Sequence, residues 1–213
     1  MVAALLNIGC KVYQYDEQGK QFRISDVAGH FGSALDGVVV GIPDIPFGAP
    51  CLAEFKTHNK ASYEKLQKEG VEKSKPEHVV QMQLYMGKMN LEYAIYMATC
   101  KDNDDLYAEI ITANSTIAKK YIERAHFIIY SQNPPAKLSE NASFFGCKFC
   151  DMKPICHGKD APAKNCRTCI NAQPIEDGDG LWRCNKNEHI LSKEEQLEGC
   201  DFYKLIPTIK DLF

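Results

Sequence analysis

The stretch from Gly32 to Lys56 constrains the fold of this chain more than any other. Two apolar, strand-like runs flank a loop, residues 41–50, that contains three prolines and two glycines. Such a loop suits neither a helix nor a central strand, so the two runs are predicted to form a hairpin. Side chains alternate along a strand, so Glu54 and Lys56 point to one face, which Asp36 can reach from the neighbouring strand.

The sequence therefore predicts two carboxylates and one ammonium group at one spot. Carboxylates of this kind hold Mg²⁺ through one or two oxygens and leave water bound to the ion. A lysine can orient that water or stabilise developing charge. On an exposed strand, Glu-x-Lys would be an ordinary surface ion pair. Residues 38–40 and 51–55 are mostly apolar, however, and charges on buried strands require partners or a metal.

Composition limits the possible functions. The chain has 213 residues, 45% of them apolar, and a net charge of −3. Any nucleic-acid binding must therefore come from a local basic groove. The N-terminal residues predict neither a signal peptide nor a membrane span, and we expect a cytoplasmic protein. Seven of the ten cysteines lie between Cys147 and Cys200, which favours metal sites over disulfides. We predict a core at residues 1–138 and a cysteine-rich metal-binding module at residues 139–213.

The order of secondary structure favours a sheet covered by helices. Strands are predicted at residues 11–15 and 21–25 and around Asp36 and Glu54, connected most simply as an antiparallel meander. Helices are predicted at residues 61–72, interrupted by Gly70, and at residues 78–89 and 115–130. Residues 93–99 are apolar on both faces, as in a central strand, and residues 106–112 are predicted to pair with them.

The motifs Asp36, Glu54-Phe-Lys56 and Gln81-Met-Gln-Leu-Tyr85 follow one another in the order Asp, Glu-x-Lys, Gln-x-x-x-Tyr. This order resembles the PD-(D/E)xK nuclease superfamily in its RecB-like and phage exonuclease branch. The resemblance covers most of the chain and extends into the cysteine-rich tail. It implies an α/β fold with a mixed central β-sheet flanked by helices, the restriction-endonuclease-like core, followed by a small metal-bound module.

The resemblance also implies roles for individual residues. Asp36 and Glu54 would ligate Mg²⁺ or Mn²⁺ together with the Phe55 carbonyl, and Lys56 would position the attacking water. Gln81 and Tyr85 would support the site or contact DNA. We expect His78, Gln81 and Tyr85 to line the same cleft as Glu54.

Two departures from the family pattern bear on the site. Pro43-Asp44 also precedes Glu54, but it lies between prolines in the loop, so we favour Asp36 and expect Asp44 to point elsewhere. Relatives usually carry an earlier helical segment whose Glu or His completes the site. This sequence begins almost at its first strand, and we expect that difference to weaken the grip on DNA. His30 is a candidate substitute, and a loop histidine is the alternative.

The cysteines fall into two sets. Cys-x-x-Cys pairs at Cys147/Cys150 and Cys166/Cys169 have the spacing with which two thiolates grip one ion. We assign one site to Cys147, Cys150, Cys156 and His157, and a second to Cys166, Cys169, Cys184 and Cys200. Zinc suits such ligands in a small module.

The resemblance provides an alternative to zinc, in which Cys10 is also a metal ligand. RecB-like nucleases can carry a 4Fe–4S cluster held by one early and three trailing cysteines, here Cys10 with Cys147, Cys150 and Cys156. In the simpler interpretation Cys10, like Cys51 and Cys100, is a small buried hydrophobe. His189 is a spare candidate ligand.

The expected function is divalent-metal-dependent DNA cleavage, exonucleolytic in type, in phage replication or recombination. The partners implied are DNA, with oligomerisation or a recombination or replication protein adding affinity. The alternative is a catalytically inactive nuclease-fold module that binds DNA or protein.

Overall fold

The computed structural model describes residues 1–158 and 160–207 and has two compact units. The first unit contains residues 1–26 and 32–124, and the second contains residues 27–31 and the chain from Ala125 onward. The predicted boundary near residue 138 stays a prediction. The protein is a mixed α/β structure whose main sheet is flanked by helices, as predicted.

A five-stranded mixed sheet with the order β1-β4-β5-β6-β7 forms the centre of the first unit. The elements up to the boundary between the units are, in chain order, α1 (Val2–Asn7), β1 (Lys11–Tyr13), β2 (Arg23–Asp26), β3 (Phe31–Ala34), β4 (Gly37–Val40), β5 (Pro50–His58), α2 (Lys60–Ser74), α3 (Pro76–Met89), β6 (Tyr93–Cys100), β7 (Leu106–Thr112) and α4 (Ser115–Tyr130). Phe31 of β3 and residues 125–130 of α4 belong to the second unit.

The hairpin predicted around the proline-rich loop is confirmed. β4 and β5 pair antiparallel, with Gly37 opposite Ala53 and Val40 opposite Pro50. The meander predicted for the first four strands is wrong, because β1 pairs with β4 while β2 and β3 form a separate two-stranded sheet. Only Ile24 of β2 is buried, so that strand is too polar for a central position.

The strand β6 lies inside the sheet, between β5 and β7, as its apolar sequence predicts. It pairs parallel with β5 and antiparallel with β7. The connection from β5 to β6 consists of α2 and α3, and a helical crossover of this kind is what joins parallel neighbours. Both helices pack on one side of the sheet, against β5 and β6.

The two faces of the central sheet differ in chemistry. One face contributes Cys51, Ala53, Ile95 and Met97 to an apolar core that also includes Leu5 and, at its margin, residues of the loop before β5. On the opposite face, alternation places Glu54, Lys56 and His58 of β5 together. Tyr96 lies beside Glu54 in the strand register, and it shares that face. The polar face therefore lies on the side covered by α2 and α3.

Helix boundaries follow local chemistry. Asn59 precedes α2, and its side chain accepts a hydrogen bond from Ser62 N–H, which satisfies a free amide of the first turn. Pro76 begins α3, where its missing N–H costs nothing. The predicted interruption of α2 is present as a kink at Gly70, with φ 74° and ψ 173°, a conformation confined almost entirely to glycine.

The second unit contains short elements around the cysteines. They are α5 (Phe145–Lys148), α6 (Lys153–Cys156), a 3₁₀ turn at Cys166–Thr168, β8 (Ala172–Pro174), β9 (Trp182–Cys184), β10 (His189–Leu191) and α7 (Lys193–Glu198). The strands form a three-stranded antiparallel sheet with β9 in the middle. Cys166, Cys169 and Cys184 are buried together with Ala172 and Leu191.

The kink in α2 yields a stability prediction. Gly70→Ala should lower the free energy of unfolding by about 1–3 kcal/mol, because alanine cannot adopt this φ and ψ without strain. The measurement is urea denaturation of both proteins. Lys73→Ala, an exposed position in the same helix, is the matched control and should change stability little. Equal stability of Gly70→Ala and the unmodified chain would contradict the prediction.

Candidate active site

Asp36 and Glu54 meet just before the first residue of β4, Gly37, where β5 continues without a β4 partner. Asp36 lies immediately before β4, between β3 and β4, and so outside the strand in which the sequence placed it. Phe55 N–H donates a hydrogen bond of 2.7 Å to Asp36 Oδ2. The backbone pairing between β4 and β5 stops at Gly37 and Ala53. The Asp36 side chain therefore takes the place of a β4 backbone acceptor for Phe55 N–H, directly beside Glu54.

Glu54 is a buried carboxylate with an incomplete set of partners. Its side chain is 1% exposed, and Lys56 Nζ lies in ion-pair contact with Oε1. Among the described residues, Oε2 has no hydrogen-bond partner. Burial raises the pKa of Glu54, the contact with Lys56 opposes that rise, and the Asp36 carboxylate adds to it. A cation at this position would relieve both the burial penalty and the repulsion between the two carboxylates.

The main chain at Phe55 contributes to the same place. In a β-strand the N–H and C=O of one residue point to the same neighbouring strand. Since Phe55 N–H meets Asp36, the Phe55 carbonyl faces this edge too, beyond the last β4–β5 pair at Gly37 and Ala53. Two carboxylates and one carbonyl oxygen are hard ligands of the type that Mg²⁺ and Mn²⁺ prefer.

The other aspartate considered from the sequence is placed differently. Asp44 is exposed in the loop between β4 and β5. The structure gives it no hydrogen bond or ion pair with Glu54 or Lys56. Lys56, 26% exposed, connects the buried carboxylate to solvent.

Gln81 and Tyr85 stabilise the segment that precedes Asp36. Tyr85 is 1% exposed, and its hydroxyl accepts a hydrogen bond from Gln81 Nε2 and donates one to the Ala34 carbonyl, both 2.9 Å long. Ser33 Oγ lies 2.7 Å from the same hydroxyl. We expected Tyr85 to line the same cleft as Glu54, and its phenol is instead enclosed between α3 and β3.

Sequence reasoning missed two residues of the polar face, His58 and Tyr96. The Tyr96 hydroxyl lies 2.9 Å from His58 Nε2 and 2.9 Å from His78 Nδ1. Tyr96 is fully buried, and burial together with the Glu54 charge raises its pKa well above the ordinary value. The available signal was period-two alternation: His58 follows Glu54 and Lys56 on the same face.

His30 and Cys10 have local partners. In the second unit, His30 Nε2 lies 3.0 Å from the Ile175 carbonyl, and the ring packs edge-on against Tyr130 and Trp182. In the first unit, Cys10 is a core residue whose thiol contacts the Gly41 carbonyl. Cys51 and Cys100 are buried as predicted.

Each predicted set of thiols is gathered in one part of the second unit. Cys147, Cys150, Cys156 and His157 line one small cavity of about 70 Å³. In the second set, burial raises the pKa of Cys166, and the thiolates of Cys169, Cys200 and Cys184 add to the shift. His189, the spare candidate, lies 3.0 Å from the Glu195 carboxylate.

Across residues 1–158 and 160–207, no group of three or more His, Cys, Asp or Glu side chains is arranged so that it could hold a metal ion. Asp36 and Glu54 provide two side chains, one fewer than three, and the Phe55 carbonyl would be the third ligand. The thiol sets would require their side chains to turn toward a common centre.

None of the helices formed by the described residues combines the length and apolar character needed to cross a bilayer.

No protein-family model and no curated protein matches the chain. Among solved structures, it is similar to the alkaline exonuclease LHK-Exo from Laribacter hongkongensis, with 19% identity and a TM-score of 0.42 over 59% of this chain and 58% of that chain. The same exonuclease in complex with dAMP gives 20% identity and a TM-score of 0.43, with coverages of 59% and 57%.

A third structure, SSO0001, shows 16% identity and a TM-score of 0.40 over 75% of this chain and 66% of that chain. The alignment spans less than three fifths of the exonuclease chains.

The imidazole of His78 yields a pH prediction. Burial lowers the pKa of His78 from 6.5 to about 4, and the Lys56 charge adds to that shift. As the pH falls, His78 is protonated near pH 6.5 in the unfolded chain but only near pH 4 in the folded chain. The stability that depends on neutral His78 is complete above pH 6.5 and is lost as the pH falls toward 4.

The measurement is the free energy of unfolding of the unmodified chain and of His78→Gln at several pH values from 8 to 4. The advantage of the unmodified chain should shrink between pH 6.5 and 4. Glu54, with its raised pKa, is present in both proteins, so the comparison isolates His78. A difference that stays constant over this range would contradict the prediction.

Proposed function

We propose that this chain is a divalent-metal-dependent nuclease that hydrolyses phosphodiester bonds of DNA at Asp36, Glu54 and Lys56. The observation that carries the proposal is the buried Glu54 carboxylate, which has one oxygen without a hydrogen-bond partner and lies beside both Asp36 and Lys56. Burying such a group is costly unless a further partner is bound. A site that retains this cost is typical of a functional centre.

The residues present fit a magnesium or manganese ion. Asp36, Glu54 and the Phe55 carbonyl would hold it, and water would complete the shell, as is usual for Mg²⁺. When bound, the ion would polarise the scissile phosphate and lower the pKa of a bound water.

The chain's own groups account for the rest of the chemistry. Lys56 Nζ is in ion-pair contact with Glu54, and the lysine side chain is partly exposed to solvent. It can therefore orient the attacking water and stabilise charge on the phosphate oxygens. The hydrogen bond from Phe55 N–H fixes the Asp36 carboxylate. Tyr85 fixes the preceding backbone through Ala34. The site is therefore largely formed before DNA binds, which reduces the cost of assembly.

A local basic surface would bring DNA to this site. The net charge of −3 provides no general attraction, so phosphate contacts must come from lysines near β5. Lys60, Lys65 and Lys68 are exposed on α2, the helix that follows β5. Few contacts of this kind imply modest affinity, which a second copy or a partner protein would increase. Exonucleolytic action in phage replication or recombination is the form of the activity that we propose.

The activity test uses end-labelled single- and double-stranded DNA with Mg²⁺ or Mn²⁺. Asp36→Asn, Glu54→Gln and Lys56→Met should each reduce cleavage by about 10²-fold or more, because each removes a group that acts on the reacting atoms. Asp44→Asn is the matched control and should cleave like the unmodified chain.

Two results would contradict the nuclease assignment. One is undiminished cleavage by a folded Glu54→Gln protein. The other is DNA binding by the unmodified chain, in Ca²⁺, without cleavage in Mg²⁺ or Mn²⁺. That second result would favour the alternative, a catalytically inactive binding module.

We also propose that the two thiol sets bind zinc, one at Cys147, Cys150, Cys156 and His157 and one at Cys166, Cys169, Cys184 and Cys200. The shared cavity of the first set and the mutual influence of the thiols in the second support this assignment. The second unit has few buried apolar residues, and a small module of this kind gains folding free energy from a structural ion.

Elemental analysis should find about two zinc ions per chain, and X-ray absorption should give Zn–S distances near ~2.3 Å. Cys184→Ser should lose about one ion, whereas Cys100→Ser, outside both sets, should lose none. Removal of zinc by a chelator should unfold the chain from about residue 145 onward and leave the central sheet intact, because metal binding and local folding are one event. Iron with visible absorbance would instead establish a cluster, and neither metal would defeat both assignments.

A further inference from the structure

A row of hydrogen bonds crosses the polar face of the central sheet beside the proposed active site. Lys75 Nζ donates to Ser62 Oγ at 2.6 Å, and Ser62 Oγ lies 3.4 Å from His58 Nδ1. From His58 the row continues through the Tyr96 hydroxyl to His78 Nδ1. We call these five side chains, Lys75, Ser62, His58, Tyr96 and His78, the polar row.

The middle of the row permits only a few proton arrangements. Tyr96 is fully buried, and its hydroxyl carries a single proton. It can donate to one imidazole and must accept from the other if both hydrogen bonds form. Burial lowers the pKa of His58 and of His78, and the lysine charges nearby add to both shifts. Both rings are therefore neutral at pH 7, with one N–H and one acceptor nitrogen each.

Lys75 favours one direction of the row, because an ammonium group can only donate and its bond occupies one lone pair of Ser62 Oγ. Ser62 accepts that bond and retains its own proton for His58 Nδ1. His58 then carries its proton on Nε2 and donates it to the Tyr96 oxygen. Tyr96 in turn donates to His78 Nδ1, so the proton of His78 is on Nε2. In this arrangement each of the four hydrogen bonds has one donor and one acceptor, and the His78 Nε2 proton is left at the end of the row.

The free end of the row lies beside the proposed catalytic groups. Tyr96 is the register partner of Glu54, and the Lys56 charge acts on both imidazoles. The side chain of His78 is 17% exposed. Its Nε2 faces Glu77 Oε1 at 3.8 Å, too far for a hydrogen bond, and Glu77 is 65% exposed and free to turn into solvent. His78 also lies in the first turn of the 14-residue helix α3, whose positive end favours an anion.

We propose, on the basis of the nuclease function proposed above, that the polar row fixes His78 as the Nε2–H tautomer and that this N–H binds a phosphate oxygen of the DNA beside Lys56. His78 is then a substrate-binding residue. Tyr96, His58, Ser62 and Lys75 are positioning residues that act through it. A neutral donor suits this role because it adds no further repulsion to the Lys56 and Lys75 charges while it supplies a directed hydrogen bond.

The test is nitrogen NMR of the full chain with ¹⁵N-labelled histidine, at pH 7 and without divalent metal. Long-range proton–nitrogen couplings distinguish the two tautomers, and His58→Gln and His78→Gln assign the signals. Both rings should carry the proton on Nε2. Addition of a deoxynucleoside 5′-monophosphate, and separately of inorganic phosphate, should shift the His78 Nε2 signal.

Two variants test the positioning role. Lys75→Met, at the far end of the row, should produce a mixture of His78 tautomers and weaken nucleotide binding by about tenfold. Lys73→Met, a nearby exposed lysine outside the row, should change neither. Tyr96→Phe, which breaks the row at its centre, should act like Lys75→Met. If Tyr96→Phe does not fold, Lys75→Met alone decides.

A proton on His78 Nδ1 in the unmodified chain would overturn the proposal, and so would a His78 signal that ignores both phosphate ligands. These results do not depend on cleavage. If the tautomer and the phosphate shift are as expected but DNA is not cut, the inference stands and the nuclease function fails. If DNA is cut and His78 does not respond, the nuclease function stands and this inference fails.

Discussion

One hydrogen bond, from Phe55 N–H to Asp36 Oδ2, determines the arrangement of the candidate site. It lies just before Gly37, the first residue of β4, where β5 continues beyond Ala53 for five more residues to His58. An aspartate side chain takes the place of the missing backbone partner, which satisfies an amide that would otherwise be unpaired. The same contact brings the Asp36 carboxylate close to the buried Glu54 carboxylate. A cation bound between them would offset their mutual repulsion.

The two faces of the central sheet have different roles: one forms the apolar core, and the other carries the groups of the proposed active site. The apolar face, with Ala53, Ile95 and Met97, packs into a continuous core. The opposite face carries a buried acid, a lysine, an imidazole and a phenol, and His78 of the covering helix α3 adds a second imidazole. Polar groups buried this way are costly unless they are paired. Most of them are paired by the polar row, and the principal exception is Glu54 Oε2, which is where we place the metal.

The second unit depends on a different principle. Its strands have three residues each, and its buried cluster is made largely of cysteines. Such a cluster provides little hydrophobic stabilisation by area, since each thiol is small. Bonds from thiolates to an ion would replace the missing core, which is the physical basis for assigning structural zinc to this part of the chain.

The sequence by itself determined the β4–β5 hairpin, the helices and strands from β5 to α4, the interruption of α2 at Gly70 and the interior position of β6. These features follow from local chemistry: prolines and glycines restrict the backbone, and a continuous apolar run without period-two alternation shows which strand is covered on both sides. It also nominated Asp36, Glu54 and Lys56, because their order can be read along the chain and alternation places Glu54 and Lys56 on one face of a strand. Only the tertiary structure decided that β6 pairs parallel with β5, that Tyr85 is enclosed and that His58, Tyr96 and His78 meet. Their contacts join residues from the end of β5, from α3 and from β6. The crossover through α2 and α3 that brings them together has no signature at any single position.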